Sequence, residues 1–180
     1  MGLALAALLA GCTWPSEDTD EVAQAQPADR KEKVVNQAPE RFTIVPDDYH
    51  VPYAGTAEDG RKFFLSEELF SSESAYVGLF LWNADGTFDE VRVDDVSRPR
   101  GLPPGQAGPA GADALVNARL AELGKYVLEP IEVESFTEEV DGVTFGWKVG
   151  QYEDSRYYIN IEPGNFIAYY EPWDGLGYDT

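Results

Sequence analysis

Three adjacent carboxylate pairs stand out in this chain of 180 residues: Asp47-Asp48, Asp94-Asp95 and Glu138-Glu139. Two carboxyls in different environments can work as acid and base, as in glycoside hydrolysis. Neighbours in a strand, however, point to opposite faces, so such a pair does not converge by itself. With 33 Asp plus Glu in the chain, adjacent acids are expected by chance and read as solvated surface. His50 is the single histidine and lies in Asp47-Asp48-Tyr49-His50-Val51-Pro52. A nearby acid would orient it as a general base; the plainer reading is a partly exposed side chain near the start of the domain. No serine in a nucleophile-elbow motif accompanies it. One Cys and one His argue against a multi-ligand zinc site and a disulfide framework. Oxygen-rich turns at Asp85 and along Asp174–Asp179 suit calcium, but neither has the spacing of a twelve-residue calcium loop.

Arg119 is a different kind of candidate. At about 100° per residue it falls between Leu115 and Leu123, inside the apolar arc of a helix. A guanidinium there must reach the rim or take a carboxylate. It forms either a structural ion pair or an anion-recognising group in a cleft between helix and sheet. Aromatic residues crowd toward the end of the chain, among them Trp147, Tyr152, Tyr157, Tyr158, Tyr169, Tyr170 and Trp173. Alternate members of a strand face opposite sides, so Tyr157 and Tyr158 cannot both be core if one face is wet, nor can Tyr169 and Tyr170. Cross-strand pairing accounts for some of these rings. Tyr158, Tyr170 and Trp173, with Arg119, are the candidate contacts for a glycan or a basic protein.

The amino terminus carries a different chemistry. Residues 1–11 are apolar or small and uncharged, Cys12 follows, and the chain then turns polar at Thr13-Trp14-Pro15-Ser16-Glu17-Asp18. Eleven such residues are too few to span a bilayer as a helix, which takes roughly 20. They fit the apolar part of a secretory signal peptide. Leu9-Ala10-Gly11-Cys12 resembles the lipobox of bacterial lipoproteins. That resemblance implies a diacylglyceryl group on the Cys12 sulfur, cleavage before Cys12, and an extracytoplasmic protein held to a plasma or outer membrane by its lipid. No basic residue precedes Cys12, which points to a start upstream of Met1. The competing reading is a core segment with a structural cysteine.

The net charge of −20 argues against nucleic acid as a partner, because phosphate binding rests on clustered basic residues. Residues 1–40 hold three basic and seven acidic side chains, and residues 41–180 hold ten and 26. The body therefore carries −16, and anionic lipid head groups would repel it, leaving the membrane contact to the lipid.

These residues need elements to position them. Residues 12–40 have few large apolar side chains and read as a flexible acidic tether. In 41–180, Arg61–Leu65 is a short strand candidate. Tyr76–Trp82 is a continuous apolar run, expected of a strand covered on both faces. Thr87–Asp94 returns after Asn83-Ala84-Asp85-Gly86, and 97–111 is a Pro- and Gly-rich loop. Asp113–Leu123 is the one convincing helix, stopped by Gly124, with Ala112, Val116, Leu120 and Leu123 on its apolar face. Ile131–Val140 and Val143–Val149 read as a hairpin around Asp141-Gly142, and Arg156–Glu162 with Asn165–Glu171 as another around Pro163-Gly164. The order favours an α+β domain, mainly antiparallel sheet with one helix packed on it. A sandwich or open barrel is the alternative.

The stretch Leu79–Gly86 and the ending from Pro163 to Thr180 resemble a group of bacterial proteins of unknown function. The resemblance spans 57–180, suggests a natural end at Thr180, and transfers no activity or site residue. The expected function is a non-enzymatic binding module for an envelope component or basic partner. The competing class is an envelope hydrolase using carboxylates with or without a cation.

Overall fold

The structure is a computed structural model describing residues 37–72, 74–96 and 111–180. The leader 1–11, Cys12 and most of the 12–40 tether lie outside the described residues, as does the loop through residue 110. All described residues belong to one compact unit.

The central sheet has the order β5-β4-β3-β2-β6, every pairing antiparallel. Its strands are β2 (Tyr53–Thr56), β3 (Lys62–Phe70), β4 (Ala75–Trp82), β5 (Phe88–Asp95) and β6 (Val127–Leu128). Period-two alternation divides β3 and β4 between two cores. Phe63, Leu65, Val77, Leu79 and Leu81 face a helix, α1 (Ala112–Glu122), while Phe64, Phe80 and Trp82 face a second sheet. The run Tyr76–Trp82 is therefore apolar throughout because both of its faces are covered.

The second sheet, order β12-β11-β10-β9-β8, comprises β8 (Thr137–Val140), β9 (Val143–Gln151), β10 (Tyr157–Glu162), β11 (Ala168–Tyr169) and β12 (Tyr178–Asp179). In β9, Phe145 and Trp147 point into the shared core and Val143 and Val149 pack against it, while Thr144 and Lys148 are exposed. A ribbon of β1 (Arg41–Ile44) and β7 (Ile131–Glu134) adds Phe42, Ile44, Ile131 and Val133 to the same core. The fold is thus mostly antiparallel sheet with one helix among the described residues. It has a helix-covered sheet whose other face meets a second sheet, so it combines the α+β expectation with the layering of a sandwich.

Two elements depart from the sequence expectation. Ile131–Val140 is not one strand. It breaks at Ser135-Phe136, and its first half pairs with β1 instead of β9. Phe136 turns inward there and stacks on Phe88, with centroids 3.7 Å apart and planes at 20°. Asn165–Glu171 also shortens, to Ala168–Tyr169, because Asn165 has φ +53° and cannot start a strand.

Helix α1 buries Val116 and Leu123, with Ala112, Leu115 and Leu120 half-buried beside them. Gly124, at φ +67°, ends it in the left-handed region. A Cβ at Gly124 would lie 2.2 Å from the Glu58 carboxylate, so glycine also makes room for the acid that receives the Lys125 N–H at 3.3 Å.

Candidate functional site

A groove of about 610 Å³ opens where the central and second sheets part. Its apolar surface includes Tyr76 from β4, Val93 from β5, and Val143 and Phe145 from β9. Tyr76 and Phe145 meet edge to face, with centroids 5.1 Å apart and planes at 89°. Three acids line it: Asp95 at the end of β5, Asp141 in the β8–β9 turn and Glu162 at the end of β10. Ser71, Ser72, Ser74 and Thr144 add hydroxyls. None of the described lining residues is basic. Among the described residues, the Asp141 and Glu162 side chains make no ion pair or hydrogen bond. Carboxylates beside the half-buried Tyr76 ring suit an ammonium or guanidinium group, through charge-assisted hydrogen bonds and cation–π attraction.

The Asp94-Asp95 pair shows how the strand divides neighbouring acids. Asp95 opposes Tyr76 and lines the groove, while Asp94 opposes Val77 and turns toward the helix. There Arg119 Nε donates to Asp94 Oδ2 at 2.6 Å, and its NH1 donates to the Glu122 carboxylate at 3.0 and 3.1 Å. Arg119 is 3% exposed, and its Nη2 has no hydrogen-bond partner among the described residues. Glu90 and Arg92 continue on the same face of β5. Arg92 bonds Glu90 and Glu122, and Arg61 bonds Glu90 at 2.8 Å and Asp89 at 3.0 Å. Alternating charges thus run from the central sheet to α1 as a continuous ladder.

His50 sits in a second cluster, beside a cavity of about 70 Å³ lined also by Tyr49, Ser66, Glu67 and Glu68. Its Nδ1 lies 2.5 Å from Glu68 Oε2. The acid that orients the ring is thus 18 residues away, not one of its sequence neighbours. Between Ser66 and Leu69 the β3 register shifts by an extra residue, a bulge that presents Glu67 and Glu68. Burial raises the Glu67 carboxyl above its ordinary value, and the nearby charges of Asp113 and Glu68 add to that.

Asp47 lies in the same cluster. Its Oδ2 accepts the Tyr178 hydroxyl at 2.7 Å, and its Oδ1 accepts the backbone N–H groups of Tyr49 and Val51 at 2.8 and 2.9 Å. Burial alone would raise this carboxyl, but the hydrogen bonds and the charge of His50 prevail and hold it below its ordinary value. Tyr178 is pushed up to about 12 by burial and by its bond to Asp47.

The aromatic candidates separate. Tyr158 and Tyr170 lie on the outer side of the second sheet around Tyr152. Trp173 instead packs against the shared core, and its carbonyl accepts the Thr43 N–H at 2.8 Å. The acids at Asp85 and Asp174 serve their own turns, accepting the backbone N–H of Thr87 and Leu176, each at 3.0 Å. Among the described residues no group of three or more His, Cys, Asp or Glu is placed to hold a metal ion, and no helix is long and apolar enough to cross a membrane. The groove itself was not legible: Tyr76, Asp95, Asp141 and Glu162 are far apart in sequence, and no spacing signal joins them. No family model, curated protein or solved structure matches the chain.

Proposed function

We propose that this protein is an exported lipoprotein, anchored through a diacylglyceryl group on Cys12, whose acidic domain binds a basic segment of a partner protein in the groove between the two sheets. The observation that carries the reading is the groove: acids and hydroxyls around an aromatic floor, with no basic lining residue among those described. The ion pairs add support. Each described arginine, namely Arg41, Arg61, Arg92, Arg119 and Arg156, already holds a carboxylate of its own chain. The surplus charge left for a partner is therefore negative, which favours and steers basic surfaces.

The test is calorimetric titration of the full chain with a lysine- and arginine-rich peptide. Asp141→Asn combined with Glu162→Gln is expected to weaken binding about tenfold. Equal affinity of the double variant would remove the groove from the reading. The competing reading, a carboxylate-dependent envelope hydrolase, draws on the His50–Glu68 contact beside Glu67. It requires turnover of envelope polymer that His50→Gln abolishes, and binding without turnover decides against it.

A further inference from the structure

The two large sheets end in strands of unequal length. Among the described residues the central sheet stops at β5, of eight residues, and at β6, of two. The second sheet stops at β8, of four residues, and at β12, of two. β5 is therefore the longest of these edges, and a long edge is a template for pairing with another chain.

The register decides which backbone groups this edge offers. Just past β5, the Val96 N–H donates to the Ala75 carbonyl at 2.8 Å. Antiparallel pairs alternate between hydrogen-bonded and non-bonded. Val77 with Asp94, Leu79 with Arg92 and Leu81 with Glu90 are therefore bonded pairs, whereas Gly78 with Val93 and Phe80 with Val91 are not. Val91 and Val93 thus direct their N–H and C=O groups away from β4. No described strand pairs with them on that side. Their side chains pack against the core between the sheets, and Val93 lines the groove. The open edge and the groove are one feature.

We propose, resting on the groove reading above, that the basic segment binds as an extended strand added to β5, with lysine or arginine at every second position. In strand addition, main-chain hydrogen bonds supply affinity and alternate side chains supply specificity. A helix can also gather cations on one side, but its main-chain groups are spent within it and offer nothing to the β5 edge.

The spacing follows from the two faces of the sheet. An added strand continues the pleat, so its side chains alternate between them. Those on the groove side meet a lining that includes Asp141 and Glu162 and has no basic residue among those described. Those on the helix side continue the face of Glu90 and Arg92. The charges there already pair with each other and with Arg61 and Glu122. One face therefore selects cations and the other does not.

The test titrates the full chain with a peptide that alternates lysine and valine over the eight-residue length of β5. A peptide of the same composition with its lysines grouped at one end is the control. The alternating peptide is expected to bind about tenfold more tightly. Methylating its backbone nitrogens at every second residue removes the donors from one edge of the strand. One of the two possible sets is expected to weaken binding about tenfold, and the other to leave it nearly unchanged. Val93→Pro removes an outward donor that β4 does not use and is expected to weaken binding about tenfold. On binding, hydrogen exchange is expected to slow at the Val91 and Val93 amides and to stay as it is at Glu90 and Arg92, which β4 already holds. Equal binding of the two peptides, lost in Asp141→Asn/Glu162→Gln, overturns the strand and keeps the groove. Binding of neither overturns both. Unchanged exchange at Val91 and Val93 overturns the strand, as does slow exchange there in the free chain, which would place the chain's own residues or a second copy on the edge.

Discussion

At the scale of single residues, carboxylates are distinguished by what faces them. Asp94 and Asp95 are chemically identical neighbours, yet one takes a buried guanidinium and the other lines a groove. That division was legible, because strand alternation separates adjacent side chains whatever their identity. Which one takes Arg119 was not, since it depends on which face of β5 meets the helix. Asp47 supports a prediction of this scale. Its folded pKa is depressed, so its stabilisation is present above the unfolded value near 3.8 and is lost as pH falls through the folded value. Tyr178→Phe removes one of the hydrogen bonds responsible. The variant is expected to lose about 1–3 kcal/mol near neutral pH, as for bonds to charged groups. The deficit should shrink at pH below the folded pKa of Asp47, where the carboxyl is protonated. Urea unfolding at both pH values measures it, and a deficit that does not change with pH would show that the bond to the carboxylate is not its source.

At the scale of elements, the long periodic segments were readable and the irregularities were not. Val143–Val149 alternates as expected, and α1 presents the expected apolar face with Arg119 inside it. The β3 bulge has no such signature. By strict alternation Leu69 would join Phe63 and Leu65 under the helix, but the extra residue carries it into the core between the sheets. A second shift, between Leu81 and Trp82, lets Phe88 and Val91 face the same core despite their odd spacing. Short strands β6, β11 and β12 hold two residues each, too few for any period to show. The charge ladder is a property of elements, since it ties α1 to β5. Arg119→Ala removes both the Asp94 and the Glu122 contacts and is expected to cost about 3 kcal/mol, in the range for breaking a buried pair. Replacing the pair together, as Arg119→Met with Asp94→Leu, should recover much of that loss. Thermal unfolding of Arg119→Met, Asp94→Leu and the double variant provides the cycle, and additive losses in the double variant would mean the two side chains are not coupled.

At the scale of the whole molecule, the proposed lipid anchor and the folded domain make separate predictions. The lipid-anchor reading predicts that, in a bacterium fed a labelled fatty acid, the wild-type chain takes up label and Cys12→Ser takes up none. Label retained by the serine variant would sink that reading. The folded unit has a further property at this scale. Its early and late segments are stitched together: Thr43 bonds the Trp173 carbonyl, Arg41 opposes Glu134, and Asp47 accepts Tyr178 across a separation of 131 residues. Contacts this remote in sequence place folding among the slower, non-local class. The Asp47–Tyr178 clasp also imposes an order on biosynthesis. An emerging chain holds Asp47 without its partner until nearly all the intervening domain has been made. The clasp therefore closes only after the segment around Tyr178 has followed Asp47 out of the ribosome.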